Sequence, residues 1–186
     1  MRPISREDFW TFLYSLHHPT YSIGDRDYQW SLDNMYRIDE YMGFPSKKLR
    51  YIHVAGTNGK GSTVSILAAI LMKAGYNVGY YRSPQMFDIR ERFYINEQMI
   101  NEDDIIDYYQ KICQYLTHYG ASTKDTKGLI HSYSEFFISL AFDYFCRNNV
   151  DIVVLETGIG GMQDPTNIIE TPEMCIITSI GYDHTR

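Results

Sequence analysis

Cysteine is scarce: Cys113, Cys146 and Cys175 are the whole set, odd in number and far apart. They supply neither a disulfide framework nor the paired spacing of a zinc site, so a reducing cytoplasm is the expected compartment. Positive charge is short as well, with 17 Lys and Arg against 23 Asp and Glu and a formal net charge of -6. An extended nucleic-acid footprint needs clustered cations, and that balance argues against one. Phosphate binding stays open, because a few backbone amides and one lysine hold a phosphate. No apolar run is long enough to span a bilayer, and Met1-Arg2-Pro3-Ile4-Ser5 lacks the apolar core of a signal peptide. The expected partners are therefore small molecules rather than nucleic acid or membrane, and the chain is expected to be a monomer.

What is present describes a globular protein. Hydrophobic residues make up 44% and charged residues 22% of 186, enough for one ordinary core and too apolar for disorder. The 17 tyrosines are read as amphipathic filler at helix and strand edges.

The first 49 residues read as a helical segment packing on the domain formed by residues 50–186. Ser5 caps a helix with Asp8 in its first turn, and Phe9, Phe12, Leu13 and Leu16 share one face. Residues 17–30 read as a loop, and a second helix runs from Ser31 to Met42, closed by Gly43 and Pro45. From residue 50 strands and helices alternate. Tyr51–Ala55 and Asn77–Tyr81 are short strands on either side of a helix bearing Val64, Leu67, Ala68 and Leu71. Residues 84–100 read as loop or hairpin, with Arg90-Glu91-Arg92 as its solvated part. Asn101 with Asp104 opens a helix stopped at Gly120, and Ser132 with Glu135 makes a capping box for another. Asp151–Leu155 and Met174–Ile180 are apolar runs of the kind covered on both faces. The pattern predicts an α/β fold, a mostly parallel sheet flanked by helices with a P-loop-type nucleotide site. Ligands of such sheets sit beyond the carboxyl ends of the strands, where residues 56–63, Ser83 and Glu156 fall.

The most specific feature is the strand, glycine loop and helix of residues 51–74. Glycines let the backbone wrap an anion, a helix N-terminus adds its dipole, and Lys60 adds a mobile charge. Ser62 or Thr63 is placed to meet a magnesium ion or a phosphate oxygen. The spacing departs from the usual P-loop, since only Thr57 and Asn58 separate Gly56 from Gly59, and Gly61 follows Lys60. With that departure and no Asn-Lys-x-Asp, a GTPase or kinase reading is the weaker one. Ser83 before Pro84 reads on its own as a turn residue. Glu156 ends an apolar strand, where an unpaired carboxylate is costly, so a ligand role suits it.

His53-Val-Ala-Gly-Thr-Asn-Gly-Lys-Gly-Ser62 resembles the ATP loop of folylpolyglutamate synthase and dihydrofolate synthase, within the Mur ligase superfamily. The resemblance extends from about residue 28 to the end, through Ser83-Pro84, Glu156-Thr-Gly-Ile-Gly-Gly161, Asp164-Pro-Thr-Asn167 and Thr178-Ser-Ile-Gly-Tyr-Asp-His-Thr185. It implies a carboxylate–amine ligase: ATP phosphorylates an acid, and the amine of glutamate attacks the acyl phosphate. It implies that Asn58, Gly59, Lys60 and Gly61 hold ATP, with Ser62 near the phosphates. Ser83 and Glu156 ligate one magnesium ion, Mg2+, and His184 helps ligate a second. Lys60, Glu156 and His184 are then the catalytic set, and residues 50–186 an ATP-binding domain incomplete at its C-terminal end. In the family, a lysine and an amino-acid-binding domain come after it.

The departures from the family cluster in one place. Gln85 stands where the family has histidine, and Met162, Gln163 and Pro165 replace arginine, leucine and alanine around Asp164. Ser134 replaces phenylalanine. Ser134, Gln163, Asp164 and Pro165 fall where the family lines its pterin pocket. Three readings stay open: a ligase for folate or dihydropteroate, a related ligase for a non-folate acid, and a non-catalytic ATP-binding fragment.

Overall fold

Side-chain alternation along short strands decides the layering. The computed structural model describes residues 5–16 and 31–182. In β1 (Tyr51–Ala55), Tyr51 joins one buried cluster while Ile52 and Val54 join another. In β5 (Ile152–Glu156), Val153 and Leu155 face the first cluster, and Ile152 and Val154 the second. A period of two thus gives each strand two apolar faces, and both need covering. The second face is covered by α3 (Lys60–Lys73) through Val64 and Ala68. The larger first face lies under α4 (Glu102–His118) and α5 (Tyr133–Arg147), joined by α1 (Arg6–Ser15) and α2 (Asp33–Tyr41). No helix among the described residues is long and apolar enough to cross a membrane.

The sheet has six strands in the order β4-β3-β2-β5-β1-β6. β2 (Val78–Tyr81), β5, β1 and β6 (Met174–Ile177) are parallel neighbours. The short β3 (Phe93–Ile95) and β4 (Gln98–Met99) add an antiparallel hairpin beside β2. The mostly parallel α/β expectation holds, and β1, β2 and β5 end on the side where the motifs lie.

Helix starts obey the local signals. Ser5 and Asp8 form a reciprocal capping box, as do Ser132 and Glu135, and Asn101 accepts from the Asp104 amide. Each satisfies amides that the first helical turn leaves unbonded.

Several expectations need correction. β6 is not covered on both faces: Met174 and Ile177 are 53% and 68% exposed on an edge strand. Its apolar composition mimics a central strand because side-chain type does not record position in the sheet. Part of the tyrosine set is core rather than edge filler: Tyr51, Tyr81, Tyr108, Tyr109 and Tyr115 are each at most 2% exposed, while Tyr14, Tyr36, Tyr76 and Tyr119 stay on the surface. Tyr109 packs its ring against Phe9 and Phe12 of α1, and that contact holds α1 on α4. The stretch 84–100 is a 3-10 turn followed by the β3–β4 hairpin, but Arg92 is buried at 7% exposure rather than solvated. The loop expected at 17–30 lies outside the described residues.

Gly79 of β2 marks the closest approach of helix to sheet. A Cβ there would stand 2.8 Å from Cδ1 of Phe145, whose ring lies against the strand. Gly79→Val is therefore expected to lower stability by about 1–3 kcal/mol through overpacking, despite valine's preference for strands. Urea melts check this, and Phe145→Leu in the same background should restore part of the loss.

Candidate active site

The loop after β1 turns on two glycines with left-handed backbone, Gly56 at φ 131° and Gly59 at φ 86°. Space forbids a side chain at the first: a Cβ on Gly56 would lie 2.0 Å from Thr178 Oγ1. The segment beyond β6 is laid along this loop. The Thr57 amide donates to the Ser179 carbonyl at 2.8 Å, and the Gly181 amide to Thr57 Oγ1 at 3.1 Å. The loop shape is thus fixed from outside as well as by its own glycines.

Helix α3 begins at Lys60, inside the motif, and no side chain caps it. Thr63 is engaged locally, its amide and hydroxyl both donating to the Gly59 carbonyl at 2.9 and 2.8 Å. Ser62 is exposed and lines the adjacent cleft, so of the two hydroxyls it is the one free to meet a ligand. Lys60 folds back over the loop, with Nζ donating to the carbonyls of Gly56 at 2.8 Å and Thr57 at 3.3 Å. Those neutral acceptors hold the ammonium where an anion on the amides would meet it.

Glu156, the last residue of β5, is 3% exposed. Its Oε2 accepts from the Ser83 amide at 3.1 Å, and a Cβ on Gly61 would stand 3.4 Å from the same oxygen. The Ser83–Pro84 peptide bond is cis. Burial raises the Glu156 pKa, while the Ser83 amide and the fields of Lys60, Arg82 and Arg92 pull it down. Glu156, Ser83, Ser62, Gly61, Ser65 and Arg82 share a cleft of about 440 Å³. Its donors are hard oxygens, the kind that suits magnesium, and a buried carboxylate with one amide donor is what a cation would stabilise. Among the described residues no three His, Cys, Asp or Glu side chains gather into a metal cluster. His184 lies outside the described residues.

The glycine segment after Glu156 is shaped by Asp164. Its Oδ2 accepts from the amides of Gly158 and Ile159 at 2.8 and 2.9 Å, and its Oδ1 from the amide and hydroxyl of Thr166. With four donors on a side chain 4% exposed, Asp164 holds the loop and has little left to offer a ligand. The Thr166 hydroxyl in turn lies 2.9 Å from His53 Nε2. Since that hydroxyl proton goes to Asp164, the imidazole donates from Nε2. Burial lowers the His53 pKa, with Asp164 opposing, which suits a neutral ring.

The other expected site residues are more scattered. Asn58 is exposed, and its carbonyl accepts from Ser179 Oγ at 3.3 Å. Ser134 is half-buried in the first turn of α5, Gln163 is exposed, and Pro165 is buried at the start of a 3-10 turn. The structure thus brings Lys60, Gly61, Ser62, Ser83 and Glu156 together. Reading the sequence missed Arg92, Arg82 and the His53–Thr166–Asp164 chain. For His53 the signal was available, since a histidine inside an apolar strand needs a partner.

Glu156 carries a stability prediction. Its raised pKa means the folded state holds the proton more tightly, so the carboxylate destabilises the fold increasingly as pH rises above its ordinary value of 4.5. Glu156→Gln should therefore raise the melting temperature of the ligand-free chain at pH 7, and the gain should shrink towards pH 4.5. Thermal melts across pH 4–8 read it, and a destabilised variant at pH 7 contradicts it.

No protein-family model matches the chain. It is 39% identical over 154 residues to the dihydrofolate synthase/folylpolyglutamate synthase of Bacillus subtilis, covering 82% of the chain and 35% of that protein. The crystal structure of folylpolyglutamate synthase from Thermotoga maritima matches with a TM-score of 0.81 and 31% identity, over 95% of the chain and 38% of that structure. E. coli FolC in complex with DHPP and ADP matches with a TM-score of 0.79 and 29% identity, over 96% of the chain and 39% of that one. The chain therefore spans little more than a third of the length of these relatives. The sequence match covers 82% of the chain and the structural match 95%, and the chain belongs to the folylpolyglutamate synthase/dihydrofolate synthase family.

Proposed function

We propose that the chain is the nucleotide-binding part of an ATP-dependent carboxylate–amine ligase that adds glutamate to a folate or dihydropteroate. One observation carries the reading: an uncapped helix N-terminus with Lys60 folded over its glycine loop faces a buried carboxylate, Glu156, tied to Ser83. Phosphoryl transfer between two anions needs placement and charge neutralisation more than acid–base groups, and this arrangement offers both. Asn58, Gly59, Gly61 and Ser62 with Lys60 hold ATP. Glu156 and Ser83 hold Mg2+, which supplies charge neutralisation at the phosphates, and His184 contributes to a second metal site. The E. coli and T. maritima relatives support the assignment, as does the ADP complexed with the former.

In this reading Ser134 and Gln163 line the acceptor pocket, Pro165 shapes its wall, and Asp164 acts by positioning the glycine loop. Ser134 presents a small hydroxyl on the α5 turn, which favours a second reading, an acid less flat than a pterin. The three cysteines are free, in keeping with a reducing cytoplasm. A monomer that binds small molecules, and not nucleic acid, completes the proposal.

Lys60→Ala should weaken Mg-ADP binding by roughly tenfold to a hundredfold, the scale of one charge-assisted hydrogen bond of about 1.5–3 kcal/mol. Calorimetry with equal affinity for both proteins would sink the nucleotide assignment. Dihydropteroate should bind weakly, by about 1–3 kcal/mol relative to a pocket with an aromatic wall and one more amide donor. A titration with Mg-ADP present tests that, and low-micromolar affinity would restore the plain folate reading over the alternative acid.

A further inference from the structure

Arg92 is a buried cation without an acidic partner. At 7% exposure it makes no ion pair among the described residues. Its hydrogen bonds go to neutral groups: Nε donates to Gln85 Oε1 at 2.5 Å, and Nη1 to the Tyr81 hydroxyl at 2.8 Å. Nη2 has no acceptor among the described residues. The guanidinium lies 5.4 Å from the ring centre of Tyr133 and 5.1 Å from that of Phe137. Glu91, its neighbour in sequence, is turned elsewhere, accepting from the amides of Met86, Phe87 and Asp88.

Burying a charge among neutral partners is costly, and removing its solvent without a counter-ion is the expensive arrangement. Such a site is stabilised when an anion arrives. A planar guanidinium fixed by two hydrogen bonds and held over one side of the Tyr133–Phe137 pair, whose ring centres are 4.4 Å apart, is preorganised for a planar oxyanion. The place selects which one. Arg92 does not line the cleft of Gly61, Ser62, Arg82 and Glu156, so it stands apart from the groups proposed to hold the nucleotide. Gln85, which holds its Nε, lies two residues beyond Ser83, whose amide donates to Glu156, and Tyr133, under the guanidinium, precedes Ser134. An acid about to be phosphorylated has to stand between those two groups.

We propose that Arg92, oriented by Gln85 and Tyr81, is the residue that recognises the carboxylate of the acceptor, an acid carried on an aromatic ring. This rests on the ligase reading above. Tyr133, backed by the buried Phe137, gives the ring an aromatic flank, and Nη2 donates to the carboxylate. Gln85 matters because its neutral oxygen holds Arg92 without cancelling its charge.

The test compares pteroate with its primary carboxamide, titrated into the 186-residue chain with Mg-ADP present. Wild type should prefer the carboxylate by at least about tenfold, the scale of one charge-assisted hydrogen bond. Arg92→Met should abolish the preference while leaving Mg-ADP affinity and melting temperature at or above wild type. Gln85→Glu keeps the fold and supplies an internal counter-ion, so it should also abolish the preference and raise the melting temperature. A preference retained in either variant overturns the proposal, as does a wild type that ignores the carboxylate or binds neither probe while Mg-ADP still binds. A markedly destabilised Arg92→Met with an unchanged preference in Gln85→Glu would make Arg92 structural. Failure of wild type to bind Mg-ADP would instead remove the ligase reading itself.

Discussion

A desolvated carboxylate at the end of the central strand sets the terms for everything around it. Glu156 is carried to its place by β5, which is buried along its whole length, so it cannot swing out to water. What stands against it has to be small or to donate. Gly61 is small, and the Ser83 amide donates. Because β2 runs parallel to β5, its end brings Ser83 beside Glu156 before the chain leaves for the hairpin. Sheet order β2-β5-β1 puts the two loops on either side of the carboxylate, and the parallel register puts them at the same height.

The glycine loop is held by the same economy of space. Gly56 touches Thr178 closely enough to exclude any Cβ, and Thr57 exchanges hydrogen bonds with Ser179 and Gly181. β6 is an exposed edge strand, but its continuation props the anion loop from behind. The segment that leads towards His184 is therefore coupled to the loop that carries Lys60, through one backbone hydrogen bond and through the hydroxyls of Thr57, Thr178 and Ser179.

Much of this was legible in the sequence, for local reasons. Ser5, Asn101 and Ser132 announce their helices because a cap acts on residues within one turn. The β1–loop–α3 unit is equally local, and its glycines mark the backbone conformations they allow. What the sequence concealed depends on partners distant along the chain. Arg90-Glu91-Arg92 reads as a solvated charge run, yet Glu91 caps a turn and Arg92 lies over a pair of aromatic rings from α5. Met174–Ile177 reads as a central strand because apolar content does not say how many neighbours a strand has. Asp164 reads as a pocket residue because the resembling family lines its pterin pocket with that segment, and only the structure gives its four donors.

The site also concentrates groups that do nothing for the stability of the ligand-free chain. α3 starts without a cap, Glu156 is ionisable where burial disfavours its charge, and Lys60 settles for carbonyls of its own loop. The fold offsets them elsewhere. Two apolar clusters cover both sheet faces, and capping boxes close α1 and α5. A ligand that supplies anions to the amides and a cation to Glu156 relieves these deficits together, so its binding free energy appears in part as folding stability. The coupling runs both ways. A substitution that stabilises these groups without a ligand, by neutralising Glu156 or capping α3, should reduce the difference that a nucleotide makes.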